Sequence, residues 1–153
     1  MKWGMYGAMG FMVLVCVAIG LGVRLNVSSS VPRGLYWIRS LAMPVQPGDL
    51  VAFHVPRRPA WWQGSTLMVK PVAGVAGDVA CLYEKIFWVG PRNYGPVVEA
   101  PSGPVGAWLH GCQVVPEAAV VVASSSPRSF DSRYFGPLPE HTLVGRAVPL
   151  WIW

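Results

Sequence analysis

Lysine is scarce in this sequence, and one of its copies lies where an amine could act as a base. The 153 residues include nine arginines but only three lysines, Lys2, Lys70 and Lys85. Only Lys70 lies in an apolar run, LMVKPVAGVA from Leu67 to Ala76. Apolar surroundings disfavour a charged ammonium and lower its pKa, which is the condition for a lysine general base. The alternative is a lysine whose stem packs against the run while its ammonium reaches water.

Serines are concentrated in two polar segments, the first of which is a candidate source of a nucleophile. That segment, Asn26–Tyr36, contains Ser28, Ser29 and Ser30 ahead of a proline and a glycine that fix a tight backbone path. The second, Ser124–Gly136, interrupts the apolar strands. By themselves these segments also fit a linker and a solvated loop. A serine hydroxyl is a weak nucleophile at neutral pH and needs an adjacent base, so a serine beside Lys70 would form a Ser/Lys pair.

Other catalytic and metal-binding patterns are weaker. The histidines His54, His110 and His141 have no recognisable nucleophile context, although sequence alone leaves open a convergence in space. No CxxC or Cys/His cluster indicates a metal, and no cofactor is predicted.

Short boxes in a fixed order place these residues in a known pattern. They are Ser30–Tyr36 (SVPRGLY), Pro47–Phe53 (PGDLVAF), Val69–Asp78 (VKPVAGVAGD), and Asp131–Gly136 (DSRYFG) followed by Leu143–Ala147 (LVGRA). Together with an apolar N-terminal run they resemble the type I signal peptidases of peptidase family S26, and particularly the conjugative-transfer, TraF-like branch. In that family the corresponding motifs are S-x-P-x-G-x-Y, K-R-x-x-G-x-x-G-D, D-S-R-Y-W/F-G and V-G-R/K-A. The resemblance covers essentially the whole chain.

The resemblance implies a catalytic Ser/Lys dyad. It makes Ser30 the nucleophile and Lys70 its general base. Ser28 matches a residue whose hydroxyl helps to bind the oxyanion, with the Ser30 amide as the other donor. Ser129 matches a serine that hydrogen-bonds the base.

Two further residues match a supporting ion pair. The resemblance makes Asp131 and Arg133 an acidic-basic pair that braces the lysine strand and the closing segment. One departure is that Ser124–Arg128 replaces the family's G-D-N-R-D stretch, which favours the conjugative branch. The roles of Ser126 and Arg128 stay open.

The elements that must hold these residues begin with an apolar run, Trp3–Val23, of 21 residues. At 1.5 Å per helical residue it would span roughly 30 Å, the thickness of the hydrocarbon core. We therefore expect an uncleaved, single-pass membrane anchor over residues 1–24 and a peptidase domain over 25–153. The alternative for this run is a buried core helix, and the flanking charges do not fix its orientation.

The body is predicted to be mainly β. All 15 prolines lie from Pro32 onward, which disfavours long helices. Apolar runs between turn signals predict strands over 49–55, 66–72, 78–83, 85–89, 118–123 and 143–153. The stretch 90–106 is predicted to be a long loop or an irregular hairpin excursion. The fold class expected from the resemblance is a folded sheet or small β-barrel of the signal-peptidase type, behind one transmembrane helix.

Composition restricts the class of protein, and the cysteines bear on its compartment. Apolar residues make up 53% and charged residues 12%, which excludes a disordered chain. Cys81 and Cys112 are the two cysteines of the body and a candidate disulfide pair, which would indicate an extracytoplasmic domain; two unrelated buried thiols are the alternative. The net charge of +5 raises nucleic-acid binding, but the arginines are scattered, so no nucleic acid is predicted.

These inferences combine into one reading of the sequence. We expect a serine endopeptidase of the bacterial inner membrane whose catalytic domain faces the periplasm. Its partners would be the lipid bilayer and exported precursors with small residues at the cleavage site, of a pilin-type or transfer-related kind. Whether water or an amine resolves the acyl-enzyme stays open. The alternative is a non-catalytic, membrane-anchored β-domain that scaffolds pilus or secretion components.

Overall fold

The computed structural model describes residues 2–56, 66–98 and 111–153. The prediction of a mainly β chain is confirmed. Helix α1 spans Lys2–Gly20 and helix α2 spans Ser132–Phe135, and a 3₁₀ turn covers Glu140–Thr142. The strands are β1 Val23–Asn26, β2 Gly34–Arg39, β3 Leu50–His54, β4 Leu67–Val75, β5 Val79–Tyr83, β6 Ile86–Val89, β7 Arg92–Pro96, β8 Gly111–Val114, β9 Ala119–Val122, β10 Leu138–Pro139 and β11 Leu143–Ile152.

The strands form two open sheets rather than the small closed barrel that was one expected form. The large sheet has the order β1-β2-β11-β3-β4-β9-β10 and the small sheet the order β7-β6-β5-β8. The strand pairs in both sheets are antiparallel. Within the described ranges neither sheet pairs its first strand with its last, so the folded-sheet form describes the chain.

Strand β9 separates two apolar cores. All four of its residues are buried, because alternate side chains point to opposite faces of a strand. Val121 packs into a core with Phe87 and Val89 of the small sheet. Val120 and Val122 pack on the other face, in a core with Phe53 of β3.

The expected transmembrane helix is a point of correction. Among the described residues, no helix combines the length and the apolarity that crossing a membrane requires. Helix α1 ends at Gly20, and Val23 already belongs to β1, which pairs with β2. The predicted run Trp3–Val23 is therefore divided between a helix and a strand. The domain boundary at residue 24 stays a prediction.

Two other predictions concern residues of the small sheet. Strand β7 lies inside the stretch 90–106 that was predicted to be irregular, and residues 99–110 are outside the described part of the chain. Cys81 and Cys112 face each other across β5 and β8 and form a disulfide with an S–S distance of 2.05 Å. This bond closes a loop of 31 residues.

Candidate active site

The structure brings Ser30, Lys70 and Ser129 together although 40 and 59 residues separate the lysine from the two serines. Lys70 Nζ lies 2.5 Å from Ser30 Oγ and 2.9 Å from Ser129 Oγ. Ser129 is buried and Ser30 is half-buried, so the hydroxyl of Ser30 is the one that a ligand could reach. A serine hydroxyl, an amine and a second hydroxyl are thus in hydrogen-bond contact.

Strand β4 fixes the position and the pKa of Lys70. Lys70 pairs with Val51 of β3, and only 2% of its surface is exposed. Burial disfavours the charged ammonium and lowers the pKa of Lys70 to about 8, against an ordinary value of 10.5. Asp131 opposes this shift and Arg133 adds to it. About one tenth of Lys70 is therefore neutral at pH 7 and about half at pH 8, and the lone pair of the neutral amine can accept a proton.

Asn26 brackets the segment that carries Ser30. Its side-chain amide donates to the carbonyls of Ser28, Val31 and Pro32 at 3.1, 3.2 and 3.1 Å. Its Oδ1 accepts from the Ser28 amide and hydroxyl at 3.2 and 2.7 Å. One asparagine thus contacts five polar groups of a segment without regular structure, with its two N–H donors shared among three carbonyls, and it holds the loop around Ser30.

The residues after Ser30 lock the segment to the large sheet. The buried Tyr36 donates its hydroxyl to the carbonyl of Pro32 at 2.7 Å. Gly34 lies so close to β11 that a Cβ there would be 2.1 Å from the carbonyl oxygen of Trp151. Only glycine permits that approach, which gives a packing reason for the glycine of the SVPRGLY box.

The serine-rich segment after β9 contacts Ser30 from the other side. Ser124 donates its hydroxyl to the carbonyl of Ser30 at 2.6 Å, and its Oγ accepts from the Ser126 amide at 3.2 Å. The sequence reasoning assigned no role to Ser124 or to Asn26. Neither residue stands in a pattern that would have revealed these contacts.

Asp131 and Arg133 form a fully buried ion pair behind Lys70. The guanidinium donates to both carboxylate oxygens, at 2.8 and 2.7 Å. Its remaining groups donate to the carbonyls of Ser124, Ser126 and Tyr94 at 2.9 to 3.0 Å. Asp131 also caps helix α2. These contacts tie the serine-rich segment to β7, and the bracing of the lysine strand and the closing segment stays a prediction.

Ser28 lines the same cavity as Ser30, but its hydroxyl is bound to another residue. Its hydroxyl is exposed and donates to Asn26. Its predicted role at the oxyanion therefore stays a prediction that requires the hydroxyl to rotate away from Asn26.

A cavity of about 660 Å³ opens beside Ser30 and Lys70. One wall is formed by the segment from Arg24 to Ser30, and another by Leu67–Lys70 at the start of β4. On the side of β4 away from β3, described pairing begins only at Val72, so the backbone edge of this wall has no neighbouring strand among the described residues. The cavity can accommodate an extended peptide. No group of His, Cys, Asp and Glu in the described ranges is arranged to hold a metal.

Comparison with known proteins gives a consistent picture. The family model "Signal peptidase, peptidase S26" matches residues 2–153. A conjugal transfer protein TraF from Agrobacterium fabrum (strain C58) is 32% identical over 95% of this chain and 92% of its own length. A second, from Agrobacterium tumefaciens (strain 15955), is 32% identical over 90% and 87%. The crystal structure of a signal peptidase I from Enterococcus faecalis V583 covers 70% of this chain and 98% of its own, at 21% identity and a TM-score of 0.46.

Proposed function

The chain belongs to the signal peptidase family, peptidase S26, and from this membership we propose that it is a serine endopeptidase that uses Ser30 as nucleophile and Lys70 as general base. The observation that carries the proposal is the contact of Lys70 Nζ with Ser30 Oγ at 2.5 Å beside an open cavity. The low pKa of Lys70, about 8, supports the assignment of the base.

The first step is attack by the serine. Ser129 accepts a hydrogen bond from the neutral amine and orients its lone pair toward the Ser30 hydroxyl. The Ser30 proton passes to Lys70 Nζ as Oγ bonds to the substrate carbonyl carbon. The carbonyl oxygen becomes an oxyanion, which the Ser30 amide and the Ser28 hydroxyl would stabilise, at roughly 3 kcal/mol for each donor.

The second step releases the first product. Lys70 returns its proton to the leaving amide nitrogen, the peptide C–N bond breaks, and an ester remains on Ser30. Lys70, neutral again, then takes a proton from water as the water oxygen attacks the ester. Collapse of this second intermediate returns the proton to Ser30. An amine in place of water would give a new amide bond, and the product masses distinguish the two outcomes.

The proposed substrates are exported precursors with small side chains at the cleavage site. Family membership supports the precursor class. Because the similar proteins from Agrobacterium carry the name conjugal transfer protein, we propose a pilin-type or transfer-related precursor.

The proposed location is the periplasmic face of the bacterial inner membrane. Large apolar side chains are exposed along helix α1 from Tyr6 to Ile19, including Phe11 at 71% and Leu14 at 69%. Contact with a lipid bilayer would remove this surface from water. The disulfide between Cys81 and Cys112 supports an oxidising compartment for the β-domain.

Mass spectrometry of exported precursors incubated with the purified full chain tests the proposal. Ser30→Ala and Lys70→Met should each lower processing by a factor on the order of 10⁴. Ser125→Ala and Lys85→Ala are matched controls, since both residues are exposed, and these variants should process normally. Thermal unfolding establishes that all four variants are folded. Cleavage by the folded Ser30→Ala protein at the wild-type rate would refute the dyad.

A further inference from the structure

The cavity beside Ser30 is positively charged. Arg24, Arg33 and Arg128 line it together with Lys70, and no aspartate or glutamate is among the described residues that line it. The described carboxylates lie elsewhere, and the two that form ion pairs, Asp49 and Asp131, bind other arginines. The potential inside the cavity is therefore set by cations.

Two of these arginines have no partner of their own in the described chain. Arg24 donates to the carbonyls of Ile19 in α1 and Val23 in β1, and Arg133 and Arg146 bind carboxylates. The guanidinium groups of Arg33 and Arg128 are exposed, and no described residue accepts a hydrogen bond from them. A guanidinium offers a planar pair of donors that matches a carboxylate.

Both arginines adjoin the catalytic contacts in sequence. Arg33 follows Ser30 by three residues, and Arg128 directly precedes Ser129, whose hydroxyl contacts Lys70. A peptide bound for attack by Ser30 must occupy this cavity. Its neighbouring side chains, or its terminal carboxylate, would therefore lie within the field of both guanidinium groups.

We propose that this cleft selects precursors that carry a carboxylate within about three residues of the scissile bond, and that Arg33 and Arg128 bind it. The inference rests on the proposed function and specifies its substrate class. It also fits the chemistry, because Lys70 gains a positive charge when it takes the Ser30 proton in a cavity already lined by cations. A substrate carboxylate offsets that charge in the transition state.

Paired peptide substrates test this directly. Each pair carries glutamate or glutamine at one of the three positions on either side of the cleavage site, and kcat/KM is measured for the full chain at low and at high salt. At one position or more, glutamate should be favoured about five- to tenfold, as for a charge-assisted hydrogen bond. High salt should reduce this ratio, because exposed charges are screened over about 8 Å at physiological ionic strength.

Variants of Arg33 and Arg128 test whether these residues cause the preference for glutamate. Arg33→Gln and Arg128→Gln should each bring the glutamate-to-glutamine ratio toward one. Arg92→Gln is the matched control, because Arg92 is an exposed arginine on the small sheet, and it should keep the wild-type ratio. A wild-type ratio of one at every position, with peptides still cleaved, would overturn the inference and leave the proposed function intact. If the wild-type protein cleaves none of the peptides, both the inference and the proposed function are refuted.

A lipid phosphate is the competing ligand for these guanidinium groups. Flotation with phosphatidylcholine vesicles, with and without phosphatidylglycerol, separates the two. If Arg33→Gln and Arg128→Gln lose binding to the anionic vesicles while the peptide ratio of wild type is one, the arginines bind membrane and the inference is wrong. Unchanged vesicle binding together with a collapsed peptide ratio supports it.

Discussion

Both sheets bury apolar side chains, but the buried charged side chains among the described residues lie beside only one of them. Beside the large sheet the interior contains Lys70, Ser129, Asp131 and Arg133, each at most 2% exposed. The small sheet buries apolar side chains such as Phe87, and a disulfide crosses it. Buried polar groups cost desolvation free energy unless they bind one another, whereas apolar burial and cross-links stabilise directly. The polar groups of the candidate site therefore lie beside the large sheet, and the small sheet is stabilised by apolar burial and a cross-link.

The two regions meet at several places, among them a guanidinium and a strand. Arg133 donates to the carbonyl of Tyr94 in β7, so the buried ion pair beside the candidate site also contacts an edge strand of the small sheet. Strand β9 contributes side chains to both cores. Loss of the ion pair should therefore affect the small sheet through Arg133.

The largest effect is expected from Asp131→Asn. This change leaves the buried Arg133 without its anion, and removal of one partner of a buried pair typically costs about 3–5 kcal/mol. Urea unfolding measures the loss. The control is Asp49→Asn, because the ion pair of Asp49 with Arg146 is partly exposed and should contribute about 1 kcal/mol or less. Equal losses of unfolding free energy in the two variants would show that the buried ion pair stabilises the fold no more than the partly exposed pair does.

A smaller effect is expected from removal of the disulfide. The Cys81→Ala/Cys112→Ala variant frees a loop of 31 residues in the unfolded chain, which costs about 3 kcal/mol of unfolding free energy. Because the bond lies in the small sheet, the pH midpoint of cleavage should stay where wild type has it. Cys16→Ala, on helix α1, should leave the stability unchanged. A shifted midpoint would mean that the two regions are more tightly coupled than the contacts indicate.

The smallest effect is a dependence of stability on pH that belongs to the large sheet alone. The pKa of Lys70 is about 8 in the folded chain and near 10.5 when unfolded, so the unfolded state binds more protons between these values. The free energy of unfolding should therefore rise with pH, by about 2 kcal/mol from pH 8 to 10, and stay at its lower level below pH 8. Urea titrations at each pH measure this slope, and Lys70→Met should lack it.

The pH dependence of cleavage tests the pKa of Lys70 independently. The value of kcat/KM should increase with pH to a plateau, with a midpoint near 8, because only neutral Lys70 can take the Ser30 proton. A flat profile below pH 8 would exclude Lys70 as the base.

Local patterns in the sequence predict much of the fold. The run 49–55 became β3 at Leu50–His54, and 85–89 became β6 at Ile86–Val89, because β-rich residues between turn signals specify a strand locally. Strand β2 was missed, since its first three residues belong to a segment interpreted as polar. Strand β7 was not predicted as a strand, because glycine and proline are dense there, although its edge position tolerates them; its pairing with β6 fits the irregular hairpin that was one expected form.

The candidate site could be predicted only in part. The apolar run around Lys70 indicates a low pKa, but nothing local brings that lysine to a serine 40 residues away. The family resemblance supplied that pairing. The supporting contacts of Asn26 and Ser124 were missed, because a side chain that bonds to backbone carbonyls leaves no periodic pattern or motif.

The position of β11 has a consequence for the order in which the molecule is made. In the large sheet β11 lies between β2, which follows the Ser30 segment, and β3, which pairs with the Lys70 strand. Yet β11 follows every other described strand in the sequence. A nascent chain emerging from the ribosome therefore has its serine half and its lysine half before it has the strand that joins them. We accordingly expect the contact between Ser30 and Lys70 to form late in translation, once β11 has emerged.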